Sequence, residues 1–364
     1  MRRPRPDRAT RGQGRVSRRC GPGAGIHGVL LVDKPVGPTS HDVVGWVRRV
    51  LGTRRVGHCG TLDPAASGLL VMAIGAATRL VPLLTDVDKT YSAIFALGRS
   101  TASGDVEGST VATAEVPPGA LDGAGRALSA MTGDLDLAPP AYSAVKIDGE
   151  RAHARARRGE LVELPLRRMS VRRVDEVAPV VGEDPAIGAR IVVSKGTYIR
   201  SIAEELGRRI GVPVHLGALR RLASGRLDVD APAVLRPQAI PAEGTRTGWW
   251  IDIPGVDVPH AARGALIELG DPVALASLLD VPIVSLAPGA EAARRLCMGQ
   301  GLSLAEVGGD PPSAGRVGLL ARSPDGQVTH LVLARVDLQE APRLAPERVL
   351  ALGAGVEDDS TRGA

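Results

Sequence analysis

The chain has 364 residues, 44% of them apolar and only 2% aromatic, which allows two domains around cores of Leu, Val, Ile and Ala. The net charge is +5, but residues 1–25 alone hold eight Arg and one Asp, so the rest of the chain is close to neutral. No apolar run approaches the roughly 20 residues of a membrane span. The Arg-rich start has no apolar stretch behind it to make a secretory signal, and three scattered cysteines, Cys20, Cys59 and Cys297, exclude a disulfide framework or a zinc site. A cytoplasmic protein without membrane attachment is expected.

Residues 1–26 read as a basic disordered tail. Gly28–Asp33 reads as a buried strand, followed by a turn through Pro35, Gly37 and Pro38. Thr39 or Ser40 is placed to cap a helix with Val43, Val44, Val47, Val50 and Leu51 on its apolar face and Gly52 at its end. A glycine-punctuated loop is expected over 57–68, then a buried strand over Leu69–Ile74 and a short helix over Thr78–Leu84. Thr90–Leu97 alternates as a strand does, and Gly119–Met131 follows two prolines as a helix. The segment 139–168 is unusually rich in Arg. Ala189–Ser194 reads as a strand and Tyr198–Ile210 as a helix stopped by Gly211.

Segment 236–275 carries Trp249 and Trp250 but no periodicity that assigns it, and it is taken as a linker or insertion. A second compact unit is expected over 276–352, with strands at Arg316–Ala321 and Val328–Val336, and a frayed tail at 353–364. Strands and helices mix without a regular βαβ alternation, which indicates an α+β fold. The four lysines, Lys34, Lys89, Lys146 and Lys195, stand out in so Arg-rich a chain. Three of them lie two to four residues from the only tyrosines, Tyr91, Tyr142 and Tyr198. Lys and Arg are not interchangeable where a compact charge is needed, so residue identity is expected to matter there.

The stretch Val56-Gly-His-Cys-Gly-Thr-Leu-Asp-Pro-Ala-Ala-Ser-Gly68 puts a carboxylate, an imidazole and several glycines in one short loop. Glycine lets backbone approach a ligand closely, and Pro64 restricts Asp63 to extended conformations. On composition alone, a structural turn and a site explain this loop equally well.

GVLLVDKP, GHCGTLDPAASG, DKTYSA, YSAVKIDG, SKGTYIRSIAEELG and HLGALRRLASG stand in the order and spacing of the TruB family of tRNA pseudouridine-55 synthases, and over 28–228 the chain resembles that family. The resemblance implies a mixed-sheet catalytic domain over 27–235, with 139–168 as an RNA-gripping insertion, followed by a PUA-like RNA-binding domain. It implies isomerisation of uridine in the tRNA T-loop by base flipping and covalent catalysis, with no cofactor or metal. Asp63 is then the nucleophile, Arg200 the cation that keeps it ionised, and Tyr91 the aromatic that stacks on the base and takes part in removing the C5 proton. His58 enters the RNA, and Tyr198, Leu219 and Lys34 complete the substrate site. The implied partner is the tRNA T-arm, with the protein acting as a monomer and without an obligate protein partner.

Each residue also has a plainer reading: Tyr91 and Leu219 as core, Lys34 as support for a strand end, Arg200 as a surface ion pair. Two departures from the family pattern stand out, Cys59 in place of Thr and His153–Ala154 in place of an apolar or aromatic pair. Two other functions fit the same motifs: a guide-RNA-dependent pseudouridine synthase subunit, and an RNA-folding chaperone with secondary catalysis. A hydrolase built on Asp63 lacks a second carboxylate in the motif.

Overall fold

The computed structural model describes residues 25–352, apart from 144, 148, 153–154, 156–157, 159, 161–163, 183, 246, 288–289, 307–314 and 338–342. The basic tail 1–24, His153, Ala154 and the terminal segment 353–364 lie outside the described residues.

The apolar run Gly28–Lys34 forms strand β1, buried almost throughout. Helix α1 (Ser40–Leu51) follows because Thr39 and Asp42 close a reciprocal capping box and Gly52 takes the left-handed conformation that ends it. Strands β2 (Val56–His58) and β3 (Ala66–Ile74) come next. The expected loop is therefore shorter at both ends, because Val56–His58 pairs with Met72–Ile74. The expected helix over 78–84 is a 3-10 turn, Gly75–Leu80, running into the short helix α2 (Val81–Thr85).

Strand β4 (Lys89–Leu97) is followed by a small hairpin, β5 (Arg99–Thr101) and β6 (Thr110–Thr113), then α3 (Ala120–Ser129) and β7 (Gly133–Leu137). The Arg-rich segment holds a second hairpin, β8 (Lys146–Ile147) and β9 (Glu150–Arg151). Next come β10 (Arg167–Val180), β11 (Ala186–Val193), α4 (Ile199–Ile210), β12 (Val214–Ser224) and β13 (Leu227–Asp228).

Segment 236–275 is folded: hairpin β14 (Gln238–Pro241) and β15 (Trp249–Asp252), helix α5 (Val258–Gly264) and strand β16 (Ile267–Glu268). Helix α6 (Pro272–Leu279) leads into the last unit. That unit comprises β17 (Ile283–Ser285), α7 (Glu291–Cys297), β18 (Leu302–Ser303), β19 (Gly315–Arg322), β20 (Val328–Asp337) and β21 (Arg343–Ala351).

The main sheet runs in the order β16-β1-β3-β12-β4-β11-β10-β7, with β2 and β13 at its side. All its neighbours are antiparallel except β3 and β12, so the architecture is α+β with a mixed sheet. The one parallel pair is the crossing on which the site is built. At that crossing Gly68 has φ +101° and a side chain would lie 2.2 Å from the Arg221 carbonyl oxygen, so only glycine fits. The five-stranded C-terminal sheet, β17-β19-β20-β21-β18, packs Leu320, Leu331, Leu333 and Leu350 into one apolar cluster with Leu69, Val71 and Leu80 of the catalytic unit. No helix among the described residues is long and apolar enough to cross a membrane.

Candidate active site

Asp63 lies on the loop between β2 and β3, and the carbonyls on both sides of it are held. The Ser40 hydroxyl accepts from the Leu62 N–H and donates to the Leu62 carbonyl, both at 2.9 Å. The fully buried Arg221 donates to the carbonyls of Gly60 (3.1 Å), Thr61 (3.5 Å) and Leu69 (2.6 Å). Lys34, equally buried, donates to those of Pro35 (2.8 Å), Pro64 (3.4 Å) and Ala66 (2.7 Å).

Two cations thus grip the loop from beneath, one before the carboxylate and one after it. Each is bound through main-chain oxygens, which compensates part of the cost of burying its charge. The substrate contact expected of Lys34 is not what its surroundings offer. All three N–H donors are used by carbonyls, so the ammonium supports the loop from below. Burial lowers the Lys34 pKa to about 8 against the pull of Asp63.

Above the loop, Arg200 comes from the first turn of α4. It is only 6% exposed, and its Nη2 lies 3.0 Å from Asp63 Oδ2. Its remaining donors reach the Ser103 carbonyl through Nη1 and the Tyr142 carbonyl through Nη2, both at 2.9 Å. Nε faces Asp105 Oδ2 at 3.8 Å, and Asp105 is itself buried. Asp105 accepts from the Ser103 hydroxyl and from the Glu107 N–H, which fixes the 103–107 loop beside the arginine.

The guanidinium is therefore aimed by two carbonyls and one buried carboxylate at a second, half-exposed carboxylate. Burial, aided by the charge of Asp105, raises the Asp63 pKa, while Arg200 and Lys34 pull it down. Sequence reasoning missed Asp105. It sits in a short Gly-flanked loop far from Asp63 in sequence, and only the packing of that loop against β12 brings it in.

The cleft at Asp63 is lined by Ala65, Ala66, Asp105, Leu216, Gly217 and Leu219. Leu219 pairs with Ala66 on one side and Ala93 on the other, and it also packs against the main core, so it serves both wall and core. Tyr91, two residues along β4 from Ala93, is buried at 9% exposure in the cluster that includes Leu62 and Ala66. Tyr198 packs at the edge of that cluster and also against Val145, Ala152 and Leu164 of the Arg-rich segment. It therefore joins that segment to the core.

His58 is half-buried at the end of β2. Its ring meets His41 edge-on with centroids 5.5 Å apart, and its Nδ1 has no hydrogen-bond partner among the described residues. Burial first, then His41 and Arg221, lower its pKa, so the ring is neutral near pH 7. The structure thus brings Asp63 and Arg200 together, puts Leu219 in the cleft wall, places Tyr91 and Tyr198 in the core cluster that Leu62, Ala66 and Leu219 share, sets His58 against His41 of α1 and holds Lys34 beneath the loop. Cys59 is fully buried, and burial pushes its thiol up to about 12, which keeps it protonated and poorly nucleophilic.

The fold is similar to the solved structure titled "Crystal Structure of a Cbf5-Nop10-Gar1 Complex", with a TM-score of 0.59 and 24% identity over 90% of this chain and 85% of that one. Residues 48–199 match the family model described as "TruB family pseudouridylate synthase (N terminal domain)". The tRNA pseudouridine synthase B of Cupriavidus pinatubonensis is 37% identical over 329 residues, covering 90% of this chain and 95% of that protein. The protein of the same name from Thermobifida fusca is 47% identical over 218 residues, 57% of this chain and 73% of its own. A carboxylate held by a buried guanidinium at the centre of this mixed sheet defines, with these similarities, a pseudouridine synthase. Within that class the chain belongs to the TruB family.

Proposed function

We propose that the enzyme isomerises uridine to pseudouridine at position 55 in the T-loop of tRNA, acting alone as a cytoplasmic monomer. The observation that carries the chemistry is the Asp63–Arg200 pair at the cleft. Isomerisation breaks the bond from N1 to C1′ and makes one from C5 to C1′, while C5 gives up a proton and N1 takes one, so the formula is unchanged and the reaction is redox-neutral. A carboxylate that attacks either the sugar or the base splits this into two easier steps. Asp63 is the nucleophile in this reading. Arg200 keeps it ionised and aimed, and Tyr91 lies under the base and serves C5 deprotonation.

The neutral His58 ring occupies the space a flipped base leaves, where a charged ring would cost desolvation. Tyr198 and Leu219 bound the uracil, and Tyr198 anchors the Arg-rich insertion that grips the T-arm. The C-terminal unit serves as a PUA-like RNA-binding domain. The relatives named tRNA pseudouridine synthase B favour tRNA over a guide-directed substrate. Incubating the pure chain with a T-arm transcript and mapping pseudouridine by mass spectrometry tests the reading. Modification confined to the T-loop uridine is expected, and an unmodified transcript would refute it.

Arg200→Lys is expected to reduce turnover far more than tRNA affinity. An ammonium cannot span Asp63, Asp105 and two carbonyls together, as the planar fork does. Single-turnover rates beside binding curves decide this, and a loss confined to affinity would make Arg200 a phosphate contact.

The pH dependence follows from Asp63. The ionised form attacks, and burial with Asp105 holds the pKa above the ordinary carboxylate value. Activity should therefore fall on acidification already above about pH 4, the usual carboxylate range. Asp105→Asn removes the like charge, so the acid limb should move to lower pH even where the plateau rate drops with the loosened arginine. A limb that stays in place in the single-turnover profile would assign it to another group.

A further inference from the structure

The outer face of α1 has no part in the reaction described above. Its solvent side presents His41, Arg48 and Arg49 on one stripe, with Gly45 between them and Arg54 just past the C-cap. Spacings of four, seven and eight residues put these positions on one side of a helix. The stripe begins at the end of β2 that leads into the Asp63 loop, where the His41 ring meets His58. It ends about 12 Å further along the axis, where the Arg49 guanidinium lies 5.7 Å from the centroid of the Trp250 ring. Trp250 is 51% exposed.

The hairpin that carries Trp250 is fixed to the catalytic loop. Trp249 covers Gly37 so closely that a Cβ there would lie 2.5 Å from the indole. The Gly37 N–H in turn donates to the Pro64 carbonyl next to Asp63.

The arginines along this face, Arg48, Arg49 and Arg54, make no ion pair among the described residues, and Arg48 gives one donor to the Val56 carbonyl. Asp252 and Asp257 line the recess beside Arg49 and Trp250 but form no ion pair with the arginine, accepting instead from the Ile253 and His260 N–H groups, and Asp42 closes the capping box. A row of exposed, unpaired guanidiniums favours a polyanion along it. The exposed indole adds a stacking surface that simple solvation does not require. A length of 12 Å matches three to four base-pair rises of about 3.4 Å.

We propose that the outer face of α1 and Trp250 form a second RNA contact, holding the sugar–phosphate backbone of the substrate RNA as it leaves the catalytic loop. Arg48, Arg49 and Arg54 take phosphates, and Trp250, backed by Arg49, takes a base or ribose. This gives the 236–268 excursion a role, and it rests on the reading that the substrate is tRNA.

The test uses the full chain, an unmodified tRNA transcript and Kd measured across a series of KCl concentrations, with kcat and KM alongside. Arg48→Glu with Arg49→Glu is expected to raise Kd and KM at least about tenfold and to lower the slope of log Kd against log salt by about two, at about 0.9 per phosphate lost. The saturated rate should be unchanged. Trp250→Ala is expected to raise Kd roughly fivefold or more, and Trp250→Phe to stay near wild type, as stacking requires. Wild-type affinity and salt slope in these variants would overturn the proposal, and that is the result expected if the face serves a protein partner. A loss confined to kcat would overturn it too. If the charge reversal lowers the unfolding midpoint, Arg48→Ala with Arg49→Ala decides by the same slope. A wild-type chain that leaves tRNA unmodified counts against the substrate reading instead, and the salt slopes on any structured RNA still decide the contact.

Discussion

Asp63→Asn is expected to abolish isomerisation, by roughly 10⁴-fold or more, on the order of 5 kcal/mol of barrier, with tRNA affinity within a few-fold of wild type. The amide keeps the shape of the carboxylate and retains one oxygen for Arg200 Nη2, which sits 3.0 Å away. It loses the charge that makes the group a nucleophile. The loop itself should not move. Its geometry is set by Ser40, Arg221 and Lys34 on the carbonyls of residues 60, 61, 62, 64 and 66, not by the Asp63 side chain. Pseudouridine formation and tRNA binding measured on the same preparation separate the two effects, and turnover close to wild type would remove Asp63 from the chemistry.

Tyr91→Phe should cost about 10²-fold or more, the usual range for a positioned acid or base, if the hydroxyl takes part in removing the C5 proton. A ring that only stacks would keep its activity as Phe, since the face is preserved. Tyr91 is buried at 9% exposure among Leu62, Ala66 and Ala93, and the loss of one hydroxyl leaves that packing intact, so a fall in rate reads as chemistry. The block should come late: Asp63 attacks, the glycosidic bond opens and the chain stalls before the proton leaves C5. A long-lived covalent or rearranged adduct in intact mass spectra is the expected sign. Full activity in the Phe variant would reduce Tyr91 to a platform for the base.

The family motifs made the proposed nucleophile and its arginine legible, because each stands in a short, strongly constrained stretch, and the structure pairs the two at 3.0 Å. Asp63 is followed by a proline and flanked by glycines, and Arg200 opens an amphipathic helix whose periodicity is unambiguous. The α+β class followed from the irregular order of strands and helices, and the strand at Thr90–Leu97 from local alternation of apolar residues, which depends only on near neighbours. The hairpin over 238–252 was not legible. Its strands are short, and their burial comes from α1 and Gly37 instead of from their own alternation.

Lys34 shows the limit of a motif most clearly. Its position beside the site is evident in sequence, but the direction of its ammonium depends on the pairing of β1 with β3, which sets Lys34 opposite Gly68 and which no local pattern encodes. The same holds for Asp105 and Arg221. Sequence by itself determined the family, through its motifs, and with it the class of reaction, and it determined most of the secondary structure, which rests on short-range periodicity. Tertiary structure alone decided which charges face the cleft and which hold it from behind. A buried cation must find its oxygens wherever the packed chain puts them, and here the Arg221 guanidinium finds one 161 residues away in sequence, on Gly60.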